Sequence, residues 1–327
     1  MRQQPFAADR AGQWEEYRQL LDTLESRGRR RPDPAPVRFP VLYRRLCADY
    51  ALARARHYSP GLIAELHALV RRGYRCLYQR RPALLGPTLA FMAAGFPRTL
   101  RRHAAAFWLA AALLFLPMAI MGVACHQDGE LIYSLMDSSE VTDLEALYDP
   151  ANRKVGRAAQ RQADTDFQMF GYYVMNNIGI GFRTFAGGLL LGLGSVIILL
   201  FNGLAIGAAA GHLTRLGFES TFWPFVSSHA PYELTAIAIS GAAGLLLGQA
   251  LLAPGRRTRL AALRANARDA VVLVGGAALM LLLAAVVEAF WSAGGTPAEV
   301  KYGVGAVGWI LVAVYLSLAG RGDRHGA

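Results

Sequence analysis

Residues 182–252 decide the fold of this chain, and they begin with FRTFAGGLLLGLGSVIILLFNGLAIGAAAGHL (182–213). An aromatic link, FESTFWPF (218–225), leads to a second apolar run, SSHAPYELTAIAISGAAGLLLGQALL (227–252). Each run is longer than the roughly 18–20 apolar residues that cross the hydrocarbon core of a bilayer. The stretch therefore predicts two membrane-spanning helices, with His229 and Glu233 as a small polar cluster beside them.

The rest of the chain has the same character. It has 327 residues, of which 54% are hydrophobic, and further apolar runs occupy 104–124, 270–291 and 302–319. A soluble domain of this size would not contain five runs of spanning length. The sequence predicts an all-α, polytopic helical membrane protein with five to six spans and an N-terminal cytoplasmic helical domain.

Charge alternates along the chain and predicts the topology. Residues 1–103 carry 20 Arg or Lys against 8 acidic residues, 125–182 carry 4 against 9, and 253–269 carry 5 against 1. Because basic segments stay on the cytoplasmic side, the N-terminus and 253–269 are predicted to be cytoplasmic. We expect a multi-pass protein of a bacterial cytoplasmic (inner) membrane.

The span count depends on residues 164–182, which are weakly apolar. An even number of crossings must separate the two basic segments, and a crossing at 164–182 satisfies this with six spans. In the alternative, five spans cross and 164–182 lies at the outer interface.

Two domains are predicted. Residues 1–100 form a basic three-helix domain, because Trp14, Tyr17 and Leu21 share one helix face, and it ends in an interfacial elbow. Residues 101–327 form the transmembrane domain, which includes an acidic extracytoplasmic loop at 125–166. Within that loop, Asp137-Ser-Ser-Glu predicts a capped short helix.

Glycines recur at helical spacing in the two central runs. Small residues let helix backbones approach closely in a membrane, where apolar side chains gain nothing by leaving the lipid. The pattern favours packing within one bundle, with a homo-oligomer interface or a passage lined by small residues as alternatives. The predicted packing positions are Gly203, Gly207, Gly211, Gly241, Gly244 and Gly248.

Six polar residues within or beside the spans are candidates for function: His229, Glu233, Asn176, Asn177, Asn202 and Glu288. His229 and Glu233 are four residues apart, so they share a helix face and favour a helix cap and an ion pair, with ion or proton handling as the alternative. Asn202 is expected to bond across helices, and Glu288 to pair with Lys301 or a buried donor. One histidine and one glutamate are too few for zinc, so no metal site is predicted.

Motifs for chemistry are absent from the sequence. It has no Walker A loop, no GxSxG and no dinucleotide fingerprint, so we expect no enzyme activity and no cofactor. Arginine clusters beside membrane spans contact anionic lipid, so the lipid bilayer, and not nucleic acid, is the expected partner.

The chain resembles the stage II sporulation protein M (SpoIIM-like) family. The resemblance lies in NNIGIGFRTFAGGLLLGLGSVIILLFNGLAIG (176–207), HAPYELTAIAISGAAGLLLG (229–248) and VVEAFW (286–291). Ala230 stands where the family has glycine. The N-terminal pieces, FAADRAGQWEEYRQLLDTLE (6–25) and LYRRLCADYALARARHYSPGLIAELHALVRRGYRCLY (42–78), are similar to the long versions found in non-sporulating bacteria.

The resemblance implies a role in a membrane complex. In spore formers the family implies a membrane anchor for peptidoglycan hydrolases, and relatives of the long version are encoded near ATPases and RDD-type membrane proteins. No catalytic role is implied for the matching polar positions. We expect a membrane scaffold that organises envelope proteins, with a transporter or channel-like component near His229 and Glu233 as the alternative.

Overall fold

The structure is a computed structural model, and it describes residues 3–26, 38–78, 85–151 and 163–321. Within these ranges every regular element is a helix, either α, 3-10 or π. This confirms the predicted all-α class. The chain divides into two compact units, one within residues 1–84 and the other within 85–327.

The described residues of the first unit form three helices: α1 (Gln3–Ser26), α2 (Phe39–Ala55) and α3 (Pro60–Tyr78). Its helices form because apolar residues recur every three or four positions and gather on one face. Trp14, Tyr17 and Leu21, the predicted face of α1, are all buried, and Phe39 stacks on Tyr17. The unit thus has an apolar core of its own.

The segment predicted as an interfacial elbow packs with the second unit. It consists of α4 (Leu85–Ala90), a π turn (Phe91–Gly95) and α5 (Phe96–Arg102). Phe96 is fully buried in the core of the second unit. The division between the units therefore falls earlier than the predicted boundary at residue 100.

In the part of the second unit that the structure describes, six long helices form the body: α6 (Ala104–Gln127), α8 (Ala163–Ala186), α9 (Leu193–Arg215), α11 (Ala230–Leu252), α12 (Arg259–Val286) and α13 (Ala298–Leu318). Shorter elements between them are α7 (Ser138–Tyr148) and α10 (Glu219–Ser227). By length and apolar composition, α6, α9, α11, α12 and α13 can each cross a membrane. Among the described helices α8 has the length but is not apolar enough to join them.

The run at 182–213 does not form one continuous span, contrary to the prediction from the sequence. Helix α8 continues to Ala186, a 3-10 turn follows at Gly187–Leu189, and α9 begins only at Leu193. Gly192 makes the reversal with a φ of 83°, a conformation that costs glycine little. An unbroken apolar composition hid this turn, because its glycines also fit a helix packing pattern.

Contacts at the helix ends show which helix termini lie together at the same end of the bundle. Arg102, at the end of α5, lines the same cavity as Leu191 in the α8–α9 turn and Leu252 at the end of α11. His103, just before α6, bonds Asp269 of α12 at 2.8 Å. These groups define one end of the bundle, called here the His103 end, and the opposite end is called the His229 end.

This arrangement places α8 antiparallel to α9 and alongside α11 and α12. Helix α8 runs towards the His103 end, because the turn that follows it lies at that end. Six crossings require this direction. The six-span topology stays a prediction, because α8 falls below the apolar content of the other five.

Glycines bring α6 and α9 into backbone contact. A Cβ built on Gly203, Gly207 or Gly211 would lie 2.3, 2.2 or 2.1 Å from a backbone oxygen of α6. On α11, Gly241 faces Leu199, Gly244 faces Ser195 and Thr184, and Gly248 faces Gly192. All six glycines thus pack against other segments of the same chain.

Small elements pack around the end of α9 near the His229 end. A 3-10 turn (Gly129–Ser134) precedes α7, whose start carries the predicted capping box of Asp137 and Glu140. Glu145 of α7 bonds His212 of α9 at 2.7 Å. Residues 152–162 of the predicted acidic loop lie outside the described residues. The predicted basic loop 253–269 is mostly helical, because α12 starts at Arg259.

Candidate functional site

Helix α11 begins with the polar pair singled out from the sequence. His229 occupies the N-cap position, with Pro231 in the first turn, and the His229 Nε2 to Glu233 Oε2 distance is 3.7 Å. The pairing follows the i, i+4 spacing, but this distance is too long for a hydrogen bond. The histidine side chain makes no capping hydrogen bond, so the predicted capping role of His229 is wrong.

A π turn at the end of α12 brings in a third ionisable group. The turn spans Val287–Ser292, and it contains Glu288, which is buried. Ligand atoms of His229, Glu233 and Glu288 all lie within 4.8 Å of one another. A π turn widens the helix locally and often occurs at functional sites, because it redirects a side chain from the regular α-helical register.

Two asparagines of α8 extend this cluster. Asn177 is 2% exposed, and its Nδ2 donates to Glu288 Oε2 at 3.3 Å. Asn176 Nδ2 in turn donates to Asn177 Oδ1 at 3.0 Å. Asn177 is thus the buried donor expected for Glu288, and α8 contributes to the same site as α11 and α12.

Two further residues support the site. The Oγ of Ser292, at the end of the π turn, lies 3.1 Å from His229 Nδ1. Lys301 of α13 is 1% exposed, and its Nζ donates to the carbonyl oxygens of Ser292 at 2.7 Å and Gly294 at 2.9 Å. Sequence reasoning had named Lys301 as a partner of Glu288 but had no signal for Ser292, an isolated serine at a span end.

Asn202 does not join this group. Its Nδ2 donates to the Ile198 carbonyl oxygen at 2.8 Å, one turn earlier in α9. The expected bond across helices is therefore wrong. An amide can bond the carbonyl four residues before it, which keeps the group satisfied without a neighbouring helix.

A separate apolar groove of about 800 Å³ lies between α6, α9, α10, α11 and α13. Trp223, Tyr302 and Trp309 are among the side chains that line it, and His229, Glu233 and Glu288 are not. The groove and the polar cluster are therefore distinct features of the second unit.

The cluster contains two carboxyl groups and one imidazole among apolar helices. Two ionised carboxylates this close repel each other strongly when water is excluded, so a proton or a cation must compensate. The arrangement can share a proton, bind a cation or bond a polar group of a partner.

Comparison with protein families bears directly on this region. The family model described as stage II sporulation protein M (SpoIIM) matches residues 111–293, more than half of the 327 residues. The chain belongs to the SpoIIM family. The match confirms the resemblance noted from the sequence, and it includes Asn177, His229, Glu233 and Glu288 of the cluster.

A second family model matches the first unit of this SpoIIM protein. It covers residues 4–79 and is described as a domain of unknown function (DUF8413). Neither the curated proteins nor the solved structures contain a match to the chain. Membership of the SpoIIM family and several membrane-spanning helices together make this a multi-pass membrane protein.

Proposed function

We propose that this protein is a non-enzymatic scaffold in a bacterial inner membrane, where it organises a complex of membrane and envelope proteins. The observation that carries the proposal is the division of the chain into a three-helix unit and a helical membrane bundle, each with its own core. A folded module outside the spans is a natural site for binding a protein partner. Family membership supports the same role through the anchoring function implied for its sporulation members.

The three-helix unit is suited to bind a partner protein. Its core is closed by aromatic packing and by a buried hydrogen bond of 3.0 Å from Trp14 Nε1 to Asp49 Oδ2. Its surface exposes several arginines, among them Arg44, Arg45 and Arg71. By the positive-inside argument this unit lies in the cytoplasm, so the partner we expect for it is a cytoplasmic or membrane protein with an acidic face.

The bundle offers a second partner surface at its His229 end. Thr221 of α10 donates to the Tyr148 carbonyl oxygen, and Tyr148 packs edge-on against Phe222. Arg215 donates to the Gln127 carbonyl oxygen at 2.6 Å, which ties α9 to the end of α6. These contacts make the short helices a folded cap, which supports binding of an extracytoplasmic partner.

Affinity purification tests the proposal. Tagged full-length protein and a variant that lacks residues 1–84 would be extracted in mild detergent, and co-purifying proteins would be identified by mass spectrometry. We expect a defined set of partners for the full-length protein and loss of the cytoplasmic members of that set for the shortened one. Identical sets for both proteins would reject the role of the three-helix unit, provided that the shortened protein still reaches the membrane.

Cation-coupled transport is the second candidate function. It is favoured by the buried cluster of His229, Glu233 and Glu288, because ionisable groups within a membrane bundle commonly mark ion pathways. Purified protein in liposomes would report flux of protons or metal ions. If the unchanged protein shows flux, and the Glu233→Gln variant shows none while it still binds its partners, the result would favour transport over the scaffold.

A further inference from the structure

We propose that His229, Glu233 and Glu288 bind one divalent transition-metal ion at the His229 end of the bundle. All three side chains offer a ligand atom, and these atoms lie within 4.8 Å of one another. Two ligands come from the first turn of α11 and the third from the π turn of α12. The inference goes beyond the proposed scaffold function and does not depend on it.

Charge compensation is the first reason. Two carboxylates in an apolar environment require positive charge, and a divalent ion neutralises both at once. The Glu233 carboxylate accepts no hydrogen bond from the described residues, and its Oε2 lies 3.7 Å from His229 Nε2. A group in this state gains most from a cation placed between it and the histidine.

The ligand types select the class of metal. One imidazole with two carboxylates suits zinc, manganese or iron, whereas magnesium and calcium prefer sites made of oxygen alone. Ligands around a tetrahedral zinc ion at about 2.0–2.2 Å lie roughly 3.3 Å apart. The ligand atoms of the cluster, all within 4.8 Å of one another, would have to move closer to reach that spacing.

The proposed ligands have hydrogen-bond partners of the kind that surround the ligands of metal sites. Asn177 holds Glu288 at 3.3 Å, and Ser292 Oγ lies 3.1 Å from His229 Nδ1. The second bond fixes the imidazole ring with Nε2 on the side of Glu233. Such outer contacts orient metal ligands and raise affinity, because the side chains lose little freedom on binding.

A competing explanation of the charge compensation relies on Lys301, a cation near the cluster. Its ammonium group is buried and donates to the carbonyl oxygens of Ser292 and Gly294. In that explanation Lys301 and one proton, shared by the two glutamates, compensate the charge without a metal. A metal ion and a proton would compete for the same carboxylates. Direct measurement of metal binding therefore distinguishes the two explanations.

Three protein ligands leave a fourth position open on a tetrahedral ion. Closed structural zinc sites have four protein ligands, while open sites accept water or an external group. The ion would join α11 to α12 and, through Asn177, to α8. It would therefore stabilise this end of the bundle and offer a coordination position to a small anion or a partner side chain.

Titration of chelator-treated full-length protein with Zn²⁺ in detergent tests the site. We expect one Zn²⁺ per chain by calorimetry, and loss of at least tenfold in affinity for Glu288→Gln and for Glu233→Gln. Glu145→Gln is the matched control, because it removes the carboxylate of another His–Glu pair of the second unit, formed with His212 at 2.7 Å. This control should bind Zn²⁺ as the unchanged protein does.

Measurements on the unchanged protein keep the test decisive if a variant fails to fold. Co²⁺ should give the visible absorption of a four-coordinate ion with nitrogen and oxygen ligands, and Zn²⁺ should raise Tm while Mg²⁺ does not. Absence of stoichiometric Zn²⁺ binding, or equal affinity in the Glu288→Gln and Glu145→Gln proteins, would overturn the proposal. That result would leave the partner experiment for the scaffold unaffected.

Discussion

The side-chain amide of Asn177 donates a hydrogen bond of 3.3 Å to the carboxylate of Glu288, which lies 111 positions further along the chain. The bond joins the middle of α8 to the π turn of α12 across an otherwise apolar interface. A buried carboxyl group without a donor is destabilising, so this contact holds α8 in a specific register beside α12.

Replacement of Asn177 by alanine is expected to destabilise the bundle by about 1–3 kcal/mol, because Glu288 then loses its donor. The measurement is thermal unfolding of purified protein in detergent, followed by tryptophan fluorescence. Asn176→Ala is the control, since Asn176 is exposed and contacts only the amide of Asn177 among the hydrogen bonds described. Equal shifts in Tm for the two variants would contradict the importance of the Asn177–Glu288 bond.

The contact between α6 and α9 is expected to be sensitive to a single methyl group. A Cβ on Gly207 would lie 2.2 Å from the Met118 carbonyl oxygen, so Gly207→Ala must push the two backbones apart. We expect a loss of about 1–3 kcal/mol in the free energy of unfolding, as for other overpacked sites.

Gly303→Ala is the matched control for that change. Gly303 lies within α13, and a Cβ there meets no atom within 4 Å. Alanine is the better helix former by up to about 1 kcal/mol, so this variant should be as stable as the unchanged protein or slightly more stable. If both variants unfold at the same temperature, the backbone contact at Gly207 is not a determinant of stability.

Two loops are predicted to lie on opposite sides of the membrane. Arg256 follows α11, at the His103 end, and Glu130 follows α6, at the His229 end; both are exposed. In a background without the native cysteines, Glu130→Cys should react with a membrane-impermeant thiol reagent in intact cells. Arg256→Cys should react only after the cells are opened.

The labelling result bears on the number of crossings as well. Protection of Arg256→Cys together with labelling of Glu130→Cys supports a cytoplasmic N-terminus and an even number of crossings before residue 256, so α8 would have to span. Reaction of Arg256→Cys in intact cells would instead support five spans, with α8 at the outer interface.

Tyr17 provides a prediction for the three-helix unit. Its hydroxyl is buried without a hydrogen-bond partner among the described residues, beside Gly73, and burial raises its pKa above the ordinary value of about 10. Folding therefore favours the neutral phenol. Stability from this group is present below about pH 10 and declines as the pH rises further.

Tyr17→Phe should stabilise the unit by about 1 kcal/mol, because it removes an unsatisfied polar atom and keeps the ring that stacks on Phe39. Hydrogen exchange of residues 3–78 in the full-length protein measures the gain. Subtilisin digestion at pH 8 and pH 11 measures the alkaline loss, which Tyr17→Phe should reduce. A less protected Tyr17→Phe protein would show that the hydroxyl has a stabilising partner.

The sequence was sufficient for features that depend on local pattern. Apolar runs of spanning length predicted five long helices, and the spacing of four residues placed His229 and Glu233 on one face. Asp137 and Glu140 predicted a capping box that the structure contains. Each of these follows from helix geometry and needs no knowledge of which helices are neighbours.

Features that depend on the packing of distant segments were missed. Nothing near Glu288 in sequence indicates that a π turn brings it to His229, and Asn202 satisfies its amide within its own helix. The turn before Leu193 was missed because glycine serves both close helix packing and chain reversal, and only the tertiary contacts decide between the two. The start of α12 at Arg259 was missed because basic residues are also good helix formers.

The geometry of the polar cluster depends on the one extra residue that the π turn at Val287–Ser292 contains. A π turn holds one residue more than the α-helical turn it replaces, so deletion of a single residue restores the α-helical register. Each residue advances an α-helix by about 100°, and the groups on either side of the deletion would rotate relative to each other by that angle. Deleting Ala289 would therefore change the direction of Glu288 relative to Ser292. Every polar side chain of the cluster would still be present in the protein.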